Sequence, residues 1–129
     1  MALARPGTLS VLVLALAAGI LAAGRARAAP PPPRVPIAFN RFYDYEETTG
    51  ILGKLAEAYP RFLRLQSIGK SVEGRDIWLD TIQNAATGPE EGKAAMYIDA
   101  NIHGNEIQGT EVCLYTISHL VERYEAVPK

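Results

Sequence analysis

The sequence predicts an α/β fold in which helices pack on a small sheet. Two segments, about residues 44–59 and 110–124, carry apolar residues at helical spacing, and three strand-like segments lie between them at residues 63–68, 76–82 and 94–100. Such elements each have an apolar face, and they bury those faces together as layers of helix on sheet. At 129 residues the chain is long enough for one modest domain.

The first 28 residues are typical of a secretory signal peptide. Arg5 precedes an apolar run over residues 9–23, and Ala26, Arg27 and Ala28 then form a small-x-small cleavage pattern. A transmembrane anchor is the alternative, but the run is shorter than the roughly 20 residues that a span requires. We therefore expect residues 1–28 to be cleaved, the protein to be secreted or periplasmic, and no stable membrane anchor to remain.

The charge balance argues against a nucleic-acid partner. Removal of residues 1–28 takes away three arginines and no acidic residue, which leaves 10 basic against 14 acidic residues and a net charge of −4. Nucleic-acid binding favours a basic surface instead. The single cysteine, Cys113, cannot form an internal disulfide, and its apolar helical neighbours indicate a buried thiol.

The first helix follows a proline-rich segment. Residues 29–42 contain Pro30 to Pro33 and Pro36, and we interpret them as a stiff linker before a folded domain at residues 43–129. Asp44 and Glu47 have the spacing of a capping box, and Pro60 ends the helix. One face carries the residues expected in the core: Thr48, Ile51, Leu52, Leu55 and Tyr59.

The next segments predict sheet. The strands at residues 63–68 and 76–82 are joined by a connection that contains Gly69 and Gly74 and suits a hairpin. Residues 84–93 form a loop. The nearly continuous apolar run at residues 94–100 predicts a strand that is covered on both faces.

The last segment predicts an amphipathic helix. Asn105 and Gln108 have the spacing of a capping pair at its start. His119 lies mid-helix on the side away from the apolar stripe, so we expect it to be solvated. The stripe itself consists of Thr110, Cys113, Leu114, Ile117, Leu120, Val121 and Tyr124.

His103 and Glu106 lie three residues apart between the predicted strand and this helix, and the pair has two interpretations. One is half of a metal site, where Gly104 lets the backbone bend tightly and an imidazole nitrogen and a carboxylate oxygen meet on one ion. The other is a loop histidine beside a glutamate that merely favours the helix start. On these two residues alone the second interpretation is favoured.

Two longer motifs change that balance. The segment SIGKSVEGRDIW at residues 67–78 resembles the Gly-(Lys/Arg)-Ser-x-Glu-Gly-Arg-x-(Ile/Leu) segment of the zinc carboxypeptidases of the M14 family. The segment ANIHGNE at residues 100–106 is similar to the first zinc-binding segment of that family. The two occur in the family's order, and the resemblance covers about residues 43–124.

The resemblance implies a mixed sheet with helices on both sides, of which this chain is the N-terminal part. It implies Zn²⁺ as cofactor, His103 and Glu106 as the first two zinc ligands, and a peptide or protein as substrate. Asn105 occupies a position where some members carry an arginine near the substrate, so either a substrate contact or a helix cap is expected there. Glu73 and Arg75 are expected to hold the hairpin rather than to take part in chemistry.

Other parts of the family's site have no counterpart in this sequence. The third histidine ligand, the general-base glutamate, the arginine that binds the substrate carboxylate and the pocket tyrosine all lie further along in the family. We therefore expect this 129-residue chain alone to be poorly stable and inactive. Two alternatives to a metallocarboxypeptidase are a zinc deacylase of the aspartoacylase or succinylglutamate desuccinylase type and a non-catalytic exported binding module.

Overall fold

The computed structural model describes residues 31–124. Helix α1 (Tyr45–Ala58) is followed by strands β1 (Leu63–Lys70) and β2 (Asp76–Ile82), two single 3₁₀ turns, and helix α2 (Gln108–Arg123). The mixed α/β class is thus confirmed. The predicted signal peptide lies outside the described residues and stays a prediction. Within residues 31–124 no helix is both long and apolar enough to cross a membrane.

Helix α1 begins at the predicted capping box. The Glu47 N–H donates to Asp44 Oδ1 at 2.8 Å, and the Asp44 N–H donates to Glu47 Oε2 at 3.2 Å. Two of the N–H groups left without helical partners at this end are thereby satisfied. Leu52 and Leu55 are buried on the inner face, and Tyr59 follows at the C-cap. The predicted helix over residues 44–59 is confirmed within one residue at either end.

The hairpin is confirmed as well. Strands β1 and β2 pair antiparallel from Leu63 opposite Ile82 to Lys70 opposite Asp76, with a bulge near the turn. The turn closes through the Gly74 N–H, which donates to the Ser71 carbonyl at 2.9 Å. Gly74 has a φ of 79°, a left-handed conformation that glycine adopts without steric cost.

The core forms where the hairpin meets both helices. Leu55 and Tyr59 of α1 and its C-cap pack with Leu63 of β1 and Val121 of α2, and Val35 joins them from the proline-rich segment. A buried aliphatic side chain stabilises a fold by about 1.5–3 kcal/mol relative to an exposed one. The segment around Val35 therefore packs against the folded body, although it contains no helix or strand of its own.

Helix α2 matches the predicted segment, but its buried face is rotated from the predicted stripe. Leu114, Ser118 and Val121 are buried, whereas Leu120 is 48% exposed. Residues 114, 118 and 121 share one side of a helix, and residue 120 lies about 100° from residue 121. The prediction that Leu120 is buried is therefore wrong. The prediction that His119 is exposed is confirmed.

The strand predicted at residues 94–100 is wrong. These residues form no ladder, and the sheet of the described region contains β1 and β2 only. Met96, Tyr97 and Ile98 are 84%, 77% and 53% exposed. A strand is held by backbone hydrogen bonds to a neighbour, and an apolar run carries no information about whether that neighbour is present.

The predicted loop at residues 84–93 is confirmed and contains the two 3₁₀ turns, Ala85–Thr87 and Glu90–Gly92. The Lys93 ammonium donates to Gln83 Oε1 and to the Asn84 carbonyl, both at 2.7 Å. Glu90 accepts from the Gln83 amide at 3.0 Å. These bonds attach the loop to the end of β2, so they fix the position at which the chain leaves the loop.

Asp80 is the more deeply buried of the two carboxylates of β2. It pairs with Leu65 across the hairpin, on the face that also carries Trp78 and Ile82. Its Oδ1 atom is buried and has no hydrogen-bond partner among the described residues. Burial disfavours the ionised form and raises the pKa of Asp80 to about 6.

We expect Asp44→Ala to lower the free energy of unfolding by about 1 kcal/mol, because the substitution removes the side-chain acceptor of the capping box. Urea denaturation of the full chain measures the change. Asp44→Ser retains an acceptor and should stay near the parent value. Glu57→Ala, on an exposed position of the same helix, is the matched control. Equal losses from Asp44→Ala and Glu57→Ala would contradict the role given to the cap.

We expect Asp80→Asn to stabilise the chain above about pH 6. In the unfolded chain Asp80 ionises near pH 4, whereas in the folded chain it ionises near pH 6. The folded state therefore binds more protons between these values, and stability falls as the pH rises through that window. Replacement by asparagine should remove this fall, a gain on the order of 1 kcal/mol at neutral pH that is absent near pH 4.

The matched control for this experiment is Asp76→Asn on the same strand. Hydrogen bonds from Lys70 and then from Ser67 lower the pKa of Asp76, so its contribution has the opposite sign. Asp76→Asn should lose stability at neutral pH and approach the parent chain as the pH falls below 4. Urea midpoints measured from pH 3.5 to 8 distinguish the two variants. An unchanged pH profile for Asp80→Asn would show that this carboxyl carries no penalty.

Candidate metal centre

A four-residue turn brings the predicted ligands together. The Glu106 N–H donates to the His103 carbonyl at 3.0 Å, and the Gly109 N–H donates to the Glu106 carbonyl at 3.0 Å. The first bond closes the turn and the second carries the chain into α2. Because the turn folds residue 106 back over residue 103, the two side chains meet, with His103 Nδ1 3.2 Å from Glu106 Oε1.

The separation of these two atoms fits zinc. Zinc holds histidine nitrogen and carboxylate oxygen at about 2.0–2.2 Å in tetrahedral geometry, so two neighbouring ligand atoms lie about 3.3 Å apart. The side chains of His103 and Glu106 are 73% and 57% exposed, which leaves both open to an ion from solvent. A contact this exposed contributes little to stability by itself. The pair therefore fits half of a zinc site in donor type, spacing and access.

The described part of the chain does not complete the site. Within residues 31–124 no group of three or more His, Cys, Asp or Glu side chains could hold a metal ion. Structural zinc takes four protein ligands, and catalytic zinc takes three with a water. His103 and Glu106 supply two.

Asn105 does not cap α2. The N-cap position of the helix is Ile107, which makes no side-chain cap, so the predicted pairing of Asn105 with Gln108 is wrong. The chain enters α2 through the turn at residues 103–106 rather than from an extended residue. The helix therefore begins too far along the chain for Asn105 to be its N-cap residue. Asn105 is exposed in the turn. A contact between Asn105 and a substrate stays a prediction.

Glu73 and Arg75 lie in the hairpin, apart from His103 and Glu106, the candidate metal pair. Arg75 binds Glu73 at 2.9 Å, and its guanidinium lies over the ring of Tyr45, 5.6 Å from the centroid. With Trp78 and other residues of α1 and the turn, they line an open surface cavity of about 340 Å³. Neither His103 nor Glu106 lines it. These contacts join the hairpin to α1, as expected for residues that hold it.

Sequence reasoning missed the part that Asn101 and Gly109 play in this turn. Asn101 is the non-glycine residue with positive φ (61°) in the described chain, whereas the tight bend was expected at Gly104. A Cβ on Gly109 would lie 2.7 Å from Ala100 Cβ, so the absence of a side chain lets α2 approach the incoming segment. Asparagine is enriched several-fold in the left-handed region, and this was the available signal.

Cys113 is half-buried on α2. Burial raises the pKa of its thiol, and the nearby Asp99 carboxylate raises it further. Both effects disfavour the thiolate, which is the nucleophilic and metal-binding form. This environment agrees with the prediction that the Cys113 thiol is unreactive.

Comparison with known proteins assigns the family. The family model "Zinc carboxypeptidase", peptidase M14, matches residues 48–129. The chain belongs to this family. The matched residues include the hairpin, the metal pair and α2.

Individual relatives agree with this assignment. Carboxypeptidase D of Drosophila melanogaster is 35% identical over 102 residues, which cover 73% of this chain and 7% of the relative. Carboxypeptidase M of Mus musculus is 33% identical over 69% of this chain and 20% of its own length. A zinc carboxypeptidase of Saccharothrix mutabilis subsp. capreolus is 30% identical over 72% of this chain and 21% of its own. The chain thus spans about a fifth or less of these relatives.

We expect His103→Ala and Glu106→Ala each to weaken Zn²⁺ binding at least about tenfold, because each leaves a single ligand. The ring and amide signals of residues 103–106 in NMR spectra of the full chain, titrated with Zn²⁺, measure the affinity. His119→Ala removes the only other histidine and is the matched control. A loss as large in His119→Ala, or no loss in either ligand variant, would contradict the assignment.

Proposed function

We propose that this protein is a zinc-dependent metallocarboxypeptidase that hydrolyses C-terminal peptide bonds. The observation that carries the proposal is the His103–Glu106 pair, whose donor atoms lie 3.2 Å apart within the region that matches the zinc carboxypeptidase model. The relatives that match at 30–35% identity are themselves carboxypeptidases by name. Their substrates and partners belong to proteins much longer than this chain.

The roles of the residues follow from their chemistry. In the proposal, His103 holds zinc through an imidazole nitrogen and Glu106 through a carboxylate oxygen. A zinc ion bound there polarises a scissile carbonyl and lowers the pKa of a bound water. The exposed Asn105, two residues from His103, offers an amide donor and acceptor to a peptide substrate. A third protein ligand and a general base are required besides these residues.

The deacylase alternative receives less support. The Glu73-Gly74-Arg75 block forms a closed hairpin turn that packs on α1 through Arg75 and Tyr45. This block belongs to the carboxypeptidase resemblance, and the matched relatives carry carboxypeptidase names. A non-catalytic binding module would need no metal pair, whereas the turn holds its two donor atoms at the spacing of zinc ligands.

We also propose that the protein acts outside the cytoplasm on peptides or proteins. The signal-like residues 1–28 support export, and the net charge of −4 that remains after their removal argues against a nucleic-acid substrate. This part of the proposal rests on sequence.

The proposal is tested in the product of the reading frame continued past codon 129. We expect further histidine and glutamate codons, and zinc-dependent release of C-terminal residues from N-blocked peptides. His103→Ala and Glu106→Ala should lower kcat/KM by more than about a hundredfold, since loss of a ligand exceeds loss of a ligand's support. His119→Ala should leave kcat/KM unchanged. A stop at codon 130, or hydrolysis indifferent to His103, would overturn the proposal.

The 129-residue chain alone gives a second prediction. We expect it to release no C-terminal residue even with Zn²⁺ added, because two protein ligands do not form a catalytic zinc site. The assay detects free amino acids after incubation with peptide. Release that a chelator abolishes and that requires His103 would show that the pair suffices.

A further inference from the structure

Helix α2 is a fixed base for the turn at residues 103–106, the metal turn. Leu114, Ser118 and Val121 are buried along one side of the helix, and Val121 belongs to the core. In its first turn, Glu111 Oε1 accepts the Tyr43 N–H at 3.0 Å, which ties this end to the residue before the cap of α1. The start of α2 is thus held from inside the fold, even though Gln108 and Ile107 are exposed.

The segment before the turn rests on this base at Ala100 and Asn101, and Asn101 adds a hydrogen bond. The Thr110 hydroxyl donates to Asn101 Oδ1 at 3.1 Å. A Cβ built on Gly109 would lie 2.7 Å from that same Oδ1 and 3.1 Å from the Asn101 backbone nitrogen. Asn101 is therefore packed against the helix by contact as well as by a hydrogen bond.

Asn101 also sets the direction in which the chain continues. Its φ of 61° is left-handed, so the backbone bends there before it reaches His103. Ile102, the residue between them, is 78% exposed and gives the histidine little packing of its own. The turn at residues 103–106 is consequently held at its far end by α2 and at its near end by Asn101.

We propose that Asn101 is a positioning residue for the metal pair: bonded to Thr110 and seated on Gly109, it fixes where His103 stands relative to Glu106. The inference rests on the proposed function, since it concerns the same two ligands. Glu106 is joined to α2 by the hydrogen bond from the Gly109 N–H. His103 is joined to the turn by its carbonyl, which accepts the Glu106 N–H, and to the helix by Asn101, two residues earlier. With the Asn101 link removed, only the hydrogen bond of the turn holds the histidine beside the glutamate, and metal binding must order this segment first.

Substitutions at Asn101 and Thr110 separate the two properties of Asn101, its left-handed backbone and its side-chain acceptor. Asn101→Gly keeps the left-handed backbone and removes the acceptor, whereas Asn101→Asp keeps both. Thr110→Val removes the donor and Thr110→Ser retains it. We expect Asn101→Gly and Thr110→Val each to weaken Zn²⁺ binding about tenfold in the full chain, with Asn101→Asp and Thr110→Ser close to the parent.

A matched control lies on the same helix. The Thr116 hydroxyl donates to the Val112 carbonyl at 2.8 Å and does not touch the turn. Thr116→Val should therefore leave zinc affinity unchanged. In the metal-free chain, Asn101→Gly should accelerate hydrogen exchange of the Glu106 amide, which closes the turn, without accelerating that of Leu114 in the body of the helix.

The outcomes distinguish this inference from the proposed function. If His103→Ala weakens zinc binding but Asn101→Gly and Thr110→Val do not, the metal pair stands and the positioning role is overturned. If neither ligand variant changes the affinity, or if the product of the reading frame continued past codon 129 binds no Zn²⁺, the zinc assignment fails and the inference falls with it. The positioning role would also be overturned if Asn101→Gly and Thr110→Val lost zinc affinity only in proportion to their loss of stability to urea, and if Thr116→Val did the same.

Discussion

The packing of Leu55 is the interaction on which the rest of this structure depends. Leu55 is fully buried where α1 meets β1 and α2, in a cluster with Val35, Tyr59, Leu63 and Val121. Val35, Leu63 and Val121 come from three different parts of the chain, so this cluster ties the proline-rich segment, the hairpin and the last helix to α1. A small domain has few such contacts, and each carries a large share of a stability that is only a few kcal/mol in total.

The metal turn depends on that core indirectly. His103 and Glu106 are exposed, and their own contact contributes little to stability. Their spacing instead follows from where α2 begins, and α2 is placed by its buried face and by the bond between Glu111 and Tyr43. The candidate zinc ligands are therefore positioned by packing at Leu114 and Val121, eight and fifteen residues beyond Glu106.

The sequence predicted those features that depend on neighbours along the chain. The cap at Asp44, the hairpin turn at Gly74 and the two helical segments are local, and the structure confirms them, although the local pairing of Asn105 with Gln108 is wrong. The strand at residues 94–100 requires a partner strand, which no pattern within the run can supply, and it was predicted wrongly. Likewise, the metal interpretation of His103 and Glu106 follows from the longer motifs at residues 67–78 and 100–106, whereas the support from Asn101 arises from a contact across nine residues to Thr110.

The single tryptophan gives the hairpin a natural spectroscopic probe. The Trp78 indole N–H donates to Thr49 Oγ1 at 3.0 Å, and this bond crosses from β2 to α1. Separation of the helix from the sheet would break it and wet the ring, so indole emission reports the integrity of that one interface. Residues 94–107 contain no tryptophan, and their motions would be invisible to the same signal. Fluorescence and metal titration therefore observe different parts of this molecule. A change detected by only one of them can be assigned to the region that this method observes.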